Sequence, residues 1–299
     1  MKFRTLAGID IGSNAIRFMI NNIERSGKED IYKKVAYLRI PIRLGEDVFT
    51  KGVIGKSKAQ RFQETMTGLN HLMKGYNVSR YMACATSAMR DAKNGQELLD
   101  YILLSTGMDI NIISGQEEAR MILEASKLKS FLDASGNYLY MDVGGGSTEI
   151  TVRSGHQAME SYSFQIGTIR MLNKVVDDSE YTFFQHWLHE IHRKYAPLTL
   201  IASGGNINKA YKLTGYTGGK PVPLKELGRL YTRLASLSFD ERMEKYGLNA
   251  YRADVIVPAL QLFVTVGDIC EITDCVVPQT GLVDGIIHHL YTLSKNDMD

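Results

Sequence analysis

At 299 residues, with 44% hydrophobic and 23% charged residues, the chain is long enough for two ordinary soluble domains, each burying its own core. A formal net charge of +2 gives no reason to expect a nucleic-acid polymer or a membrane as partner. Cys84, Cys270 and Cys275 form neither a CxxC pair nor a metal-binding cluster with histidine, the first ten residues lack the apolar core of a signal peptide, and the longest apolar run, 255–266, holds Pro258 and Gln261 and falls short of the ~20 residues that span a bilayer. Reduced thiols and a cytoplasmic location are the expectation.

Residues 4–11, 15–23 and 31–42 read as three successive strands, separated by Gly12-Ser13-Asn14 and by Ser26-Gly27. Ala59, Phe62, Met66, Leu69, Met73 and Tyr76 recur in steps of three and four, which predicts an amphipathic helix over 57–76. A strand at 79–85, a short helix, a helix near 96–105 and a strand at 109–113 follow. Ser114 is the expected N-cap of a helix running to about Ser126. The polar stretch 127–137 is the expected boundary between a first domain, 1–126, and a second, 127–299, with the last helix a candidate to pack back on the first. Strands at 138–143, 148–153 and 158–165, a helix, a strand at 198–202 and then mostly helices repeat the opening order. Three strands followed by alternating helix and strand, twice, is a ββαβα-like duplication of α/β class.

The repeat extends to the chemistry. Ala7-Gly8-Ile9-Asp10-Ile11-Gly12-Ser13-Asn14 and Tyr140-Met141-Asp142-Val143-Gly144-Gly145-Gly146-Ser147-Thr148 each deliver one aspartate from an apolar strand into a glycine-rich turn, followed by another strand. Glycine lets backbone N–H groups approach a phosphate chain closely. An aspartate is acceptor-only at neutral pH and suits a metal ion or its waters. Asp10 and Asp142 are therefore candidate magnesium ligands, with Gly12, Ser13, Asn14, Gly144, Gly145, Gly146, Ser147 and Thr148 as candidate phosphate contacts. Because Gly144-Gly145-Gly146 leads into a strand and no GxGxxG is present, a dinucleotide-binding fold is excluded. Ser203-Gly204-Gly205-Asn206 ends a strand and opens a helix, which makes Gly204 and Gly205 a third candidate anion site. Gly167-Thr168-Ile169-Arg170 reads equally as an anion contact or as a plain helix start.

Arg90 follows the strand ending at Ala85 and could offset charge on a phosphoryl group, or simply pair with Asp91. Glu117 and Glu118 open the helix after Ser114. Adjacent helical positions point about 100° apart, so at most one of them faces a cleft, and an ionised glutamate there would orient or deprotonate water. Lys33, Lys34, Arg39 and Arg43 form either a basic path for a substrate tail or a solvated sheet face.

Taken together, GIDIGSNAIR (8–17), IRLGE (42–46), ATSAMRDAKNG (85–95), ISGQEEAR (113–120), YMDVGGGSTEI (140–150), GTIRM (167–171), ASGGN (202–206) and RADVIVPAL (252–260) resemble the Ppx/GppA phosphatases over nearly the whole chain. These are exopolyphosphatases and guanosine pentaphosphate phosphohydrolases of the actin-like ATPase superfamily. The resemblance implies a duplicated ribonuclease-H-like fold with an interdomain cleft, and magnesium-dependent hydrolysis of a terminal phosphoanhydride. It assigns Glu118, not Glu117, as the catalytic carboxylate, Asp142 as the second aspartate and Arg90 as a cleft arginine, and it brings homodimers into consideration. Asn206 stands where many members carry threonine, which removes a hydroxyl donor. The additional helical domains of long members are not matched, so long-chain processivity is not implied.

The expected substrate is inorganic polyphosphate, because no motif reads a guanine base, with guanosine pentaphosphate as the alternative. Two other classes share such glycine turns: a small-molecule kinase, which would need an acceptor site, and a non-catalytic actin-like nucleotide-binding protein. ISGQEEAR argues against the kinase.

Overall fold

The computed structural model describes residues 3–26, 29–125, 133, 135–155 and 157–296. Most of the expected boundary stretch 127–137, and Gly27 of the second turn, lie outside the described residues. The chain divides into two compact units, one formed by Met1–Ala125 with Leu282–Asp299 and the other by Ser126–Gly281.

In the first unit, β1 (Phe3–Ile11), β2 (Ile16–Ser26) and β3 (Glu29–Ile40) form an antiparallel meander. Helices α1 (Leu44–Lys51) and α2 (Lys56–Gly75) lead to β4 (Arg80–Ala85), which lies parallel to β1 on its other side. Then come α3 (Ser87–Asp91), α4 (Gly95–Thr106), the two-residue β5 (Asn111–Ile112) and α5 (Gly115–Glu124). The sheet order is β3-β2-β1-β4-β5. Strand β5 is shorter than the expected 109–113 because only Asn111 and Ile112 pair with β4. Helix α1 was not expected. It starts at Arg43, whose left-handed backbone (φ 58°) turns the chain out of the sheet.

Side-chain alternation puts Ala7, Ile9 and Ile11 of β1 in a core with Phe18, Ile20, Phe62, Met66 and Leu69. Leu6 faces the opposite side and packs with Met19, Ile23, Val283 and Ile287, the last two from the C-terminal helix α13 (Leu282–Asn296). Gly8 permits that helix to approach, because an added Cβ would lie 3.2 Å from the Val283 carbonyl oxygen.

The second unit repeats the plan. Strands β6 (Asn137–Val143), β7 (Thr148–Ser154) and β8 (Gln157–Phe164) form the meander, followed by α6 (Thr168–Leu172) and α7 (Asp178–Tyr195). Strand β9 (Thr199–Ser203) runs parallel to β6 and leads into α8 (Gly205–Leu213). Two short strands not expected from periodicity, β10 (Val222–Pro223) and β11 (Asp274–Val276), complete the sheet order β10-β11-β9-β6-β7-β8. Between them lie α9 (Leu224–Ala235), α10 (Phe239–Tyr246), α11 (Ala250–Ala253) and α12 (Ile256–Ile269). Strands β1, β2, β3, β4 and β5 thus find their equivalents in β6, β7, β8, β9 and β11.

Leu139, Met141 and Val143 of β6 join Ile150, Val152, Phe184, Leu200 and Phe263 in the core of this unit. The apolar run 255–266 proves to be mostly α12, a helix buried in that core. Among the described residues, no helix is long and apolar enough to cross a membrane.

Helix α13 meets α5 at Gly285, where a Cβ would overlap the carbonyl oxygen of Met121. The Gly285→Ala variant is expected to lose about 1–3 kcal/mol of stability, the usual cost of overpacking a tight contact. Urea denaturation measures it, and an unchanged midpoint would contradict this packing.

Candidate functional site

Both hairpin turns are built alike. The Gly12 N–H donates to the Ala15 carbonyl at 3.2 Å, and the Gly144 N–H donates to the Ser147 carbonyl at 2.9 Å. These two amides therefore close their turns and do not serve as phosphate donors, contrary to expectation. The other turn residues divide according to what surrounds them.

In the second unit the carbonyls of the glycine loop are all engaged from one side. Thr168 N–H donates to Gly144 (3.1 Å), Ile169 N–H to Gly145 (2.8 Å) and Arg170 Nε to Gly146 (2.8 Å). In a planar trans peptide the carbonyl of one residue and the N–H of the next point in opposite directions. The amides of Gly145, Gly146 and Ser147 consequently point away from α6, as successive donors of the kind that cradle a phosphate. The segment Gly167–Arg170 is the strut that orients them, which settles the open choice between anion contact and plain helix start. Thr148, also expected at a phosphate, is fully buried and donates its hydroxyl to the Ile166 carbonyl at 2.5 Å. It belongs to the strut as well.

Asp142 lies at the end of β6, directly opposite Glu149 on β7 and beside Ser203 on β9. The two carboxylates are 7% and 1% exposed, and their oxygens come within 4.8 Å of each other. Ser203 Oγ donates to Asp142 Oδ1, and Ser163 Oγ donates to Glu149 Oε1 at 2.9 Å. Gly204, at φ 106°, keeps this corner open, since a Cβ there would sit 3.2 Å from Asp142 Oδ1. The Gly205 carbonyl accepts from Arg252. Two buried like charges side by side call for a cation, and an all-oxygen donor set of this kind fits a hard divalent ion such as magnesium. Glu149 was missed at the sequence level. The signal was available, because position 149 follows the turn at the same distance from Asp142 as Arg17 does from Asp10.

In the first unit the position opposite Asp10 is occupied by Arg17, whose Nη1 donates to Asp10 Oδ2 at 2.6 Å. Burial raises the Asp10 carboxyl above its ordinary range, and Arg17 acts against that shift. The expected magnesium ligand Asp10 thus faces a protein cation. Ser13 is 3% exposed and shares a hydrogen bond with Ser87 at 3.4 Å, while its carbonyl accepts from Gly45 N–H at 2.9 Å. The Asn14 carbonyl accepts from Arg43 N–H at 3.1 Å. The first turn is therefore clamped from outside by the start of α1.

Helix α5 opens with a capping box: Glu117 N–H donates to Ser114 Oγ at 3.2 Å, and Ser114 N–H donates to Glu117 Oε2 at 2.9 Å. The Ser114 N–H, and then the Ser114 hydroxyl donating to the same Oε2 at 2.9 Å, hold the Glu117 carboxyl below its usual range. Glu118, one position on, is buried. The Cys84 thiol, opposite Asp10 on β4, is pushed up to about 12 by burial and then by the negative charges of Asp10, Glu118 and Glu117. It is an inert buried thiol, and Cys270 and Cys275 are free and buried too. Arg90 donates from Nη1 to the Ile113 carbonyl at 2.8 Å, with Asp91 4.0 Å from its Nε, so it braces the segment that enters α5.

The expected basic path divides into separate contacts. Lys33 pairs with Glu24 at 3.2 Å, Arg43 pairs with Glu46 at 2.5 Å, and Lys34 Nζ lies 5.2 Å from the Tyr37 ring centre. Arg39 lies directly opposite Arg17 on the neighbouring strand.

The Ppx/GppA phosphatase family profile matches residues 23–293. This chain belongs to the Ppx/GppA phosphatase family. It is 30% identical over 171 residues to the bifunctional 3-dehydroquinate synthase/phosphatase of Fusobacterium nucleatum, covering 56% of this chain and 26% of that protein. It is 23% identical over 305 residues to the guanosine-5'-triphosphate,3'-diphosphate pyrophosphatase of Aliivibrio fischeri, covering 97% of this chain and 60% of that protein. The chain therefore spans less than two thirds of the length of either relative. The solved structure of an exopolyphosphatase from Cytophaga hutchinsonii matches with a TM-score of 0.83 at 22% identity, covering 98% of each chain. The chain shares the fold of that structure, a duplicated fold of the actin-like ATPase kind, with the Gly144–Gly146 loop on its second repeat.

Gly167 faces that loop so closely that a Cβ would lie 2.5 Å from the Gly145 carbonyl group. Gly167→Ala should displace the amides of 145–147 and lower kcat/KM for phosphate release by about tenfold or more, since misplacement by 1 Å commonly costs about a hundredfold. Steady-state phosphate release checks this, and wild-type kinetics would contradict the strut.

Proposed function

We propose that this Ppx/GppA phosphatase hydrolyses the terminal phosphoanhydride of inorganic polyphosphate with the help of magnesium. The observation that carries the reading is the second hairpin, where three amides of residues 145–147 point away from their strut and the buried carboxylates of Asp142 and Glu149 lie side by side. Such a turn takes successive phosphates, which every phosphoanhydride chain offers.

Asp142 and Glu149 would hold the cation, with Ser203 and Ser163 fixing one oxygen of each. Bound there, a divalent ion would supply charge neutralisation to non-bridging phosphate oxygens. Gly145, Gly146 and Ser147 bind and orient the chain. Glu118 accepts a proton from the attacking water, whose oxygen bonds to the terminal phosphorus as the bond to the bridging oxygen breaks. Orthophosphate and a chain shorter by one unit leave. Arg90, tied to the Ile113 carbonyl, holds the entry to α5 and turns its guanidinium toward the charge on the transferring group. Gly204 and Gly205 shape the corner beside Asp142 and extend the phosphate contacts.

Glu118→Gln should keep substrate binding and lose about 10²–10⁴ in kcat, the usual contribution of a general base. Magnesium-dependent phosphate release, compared across polyphosphate, guanosine pentaphosphate and ATP, tests the substrate. Preference for polyphosphate supports the reading. Preference for guanosine pentaphosphate moves the substrate within the family, and turnover of ATP alone overturns the assignment.

A further inference from the structure

Beside the strut of the second repeat lies a recess that the phosphatase chemistry leaves unused. Its volume is about 500 Å³, and it is lined by Met171 of α6, Lys174 and Val176 of the connection, and Asp178, Tyr181 and Thr182 at the start of α7. Floor and rim differ in chemistry. Met171, Val176 and Tyr181 are half-buried and pack on the core of the second unit, which holds them in place. Lys174, Asp178 and Thr182 are exposed.

The charged side chains of this segment fall into two groups. Arg170 is engaged by the Gly146 carbonyl and by Gln165, Asp177 accepts from Ser179, and Glu180 accepts from the Gln165 N–H at 2.7 Å. The side chains of Lys174 and Asp178 make no hydrogen bond or ion pair with each other or with any other described residue. Lys174 also holds a left-handed backbone (φ 56°) where α6 ends, a conformation that glycine takes at less cost. A cation thus stands on the rim at some conformational expense.

We infer that this recess binds a zwitterionic α-amino acid with an aromatic side chain, its carboxylate on Lys174, its ammonium on Asp178 and its ring on the apolar floor, and that the bound ligand steadies the glycine loop. An unpaired cation and an unpaired carboxylate on one rim match a ligand that carries both charges. A simple anion such as phosphate would meet the Asp178 carboxylate, and a simple cation would meet Lys174. The floor offers a thioether, a branched aliphatic group and a phenol ring, contacts that suit a flat aromatic ring. The volume falls within the range of small-molecule sites, about 300–1,000 Å³.

The recess also touches the strut. Met171 N–H donates to the Gly167 carbonyl at 2.9 Å, and Gly167 lies against the Gly145 carbonyl group. A ring seated on Met171 therefore bears on the segment that orients the 145–147 amides. Ordering that segment before substrate arrives lowers the cost of binding. This effect rests on the phosphatase reading given above; the binding site does not.

Calorimetric titration of L-phenylalanine into the full chain tests the site, and a dissociation constant of about 1 mM or lower is expected. Phenylalaninamide, which lacks the carboxylate, and N-acetylphenylalanine, which lacks the ammonium, should each bind about fivefold more weakly or worse, having lost one charge-assisted contact. Lys174→Gln should weaken phenylalanine by a similar factor and leave phenylalaninamide unaffected. Asp178→Asn should weaken phenylalanine and leave N-acetylphenylalanine unaffected, so the two cycles assign each charge to its partner. In phosphate release, phenylalanine should lower KM by about twofold or more with kcat within about twofold. No binding up to about 10 mM, phenylalanine binding unchanged in both variants, or binding of orthophosphate in its place with loss in Lys174→Gln, overturns the site. Binding with an unchanged KM overturns the coupling to the loop. A chain that binds phenylalanine but releases phosphate from no phosphoanhydride overturns the functional reading and leaves the site standing.

Discussion

Each repeat is organised around one cross-strand pair at the mouth of a hairpin, Asp10 with Arg17 and Asp142 with Glu149. The pair exists because the aspartate strand is central, antiparallel to a partner on one side and parallel to a shorter strand on the other. Its odd-numbered neighbours in the first repeat, Ala7, Ile9 and Ile11, are buried in the main core, and that burial fixes which face the aspartate must take. A slip of one residue would drive Asp10 into the core and an isoleucine to the site. Hydrophobic register therefore places the charge, and the glycine turn that follows is closed by the same amide-to-carbonyl bond in both repeats.

The pairs differ in how their charge is balanced. Asp10 is paired with a cation of its own sheet, Arg17. Asp142 and Glu149 are both acidic and both buried, and each accepts a hydrogen bond from a serine hydroxyl. Buried like charges are costly without a compensating group, so the second hairpin is the one whose carboxylates could hold a metal ion. A duplicated fold thus carries two chemically distinct hairpins, one with a cation opposite its aspartate and one with a second carboxylate there.

Much of this was legible in the sequence. The doubled strand–Asp–glycine pattern announced the repeat and its two hairpin turns, and the three- and four-residue spacing from Ala59 to Tyr76 announced α2. What escaped has physical causes. Glu149 and Arg17 sit one strand beyond the turn, and their importance depends on register, which only the ladder reveals. Thr148 and Gly144 look like donors in sequence, but the hydroxyl of the first and the amide of the second are engaged within the fold. Glu117 and Glu118 are indistinguishable by type; one caps α5 and the other is buried. Helix α1 and the short strands β10 and β11 carry too few periodic residues to announce themselves.

The two hairpins are distinguished most directly by where a metal binds when a phosphate chain is present. Crystals of the Glu118→Gln variant grown with manganese and a short polyphosphate would show it by anomalous scattering. The expected result is a manganese site at about 2.1–2.3 Å from carboxylate oxygens of both Asp142 and Glu149, with phosphate oxygens on the 145–147 amides. Manganese coordinated by Asp10, or none beside Asp142 and Glu149 while polyphosphate is bound, would contradict it.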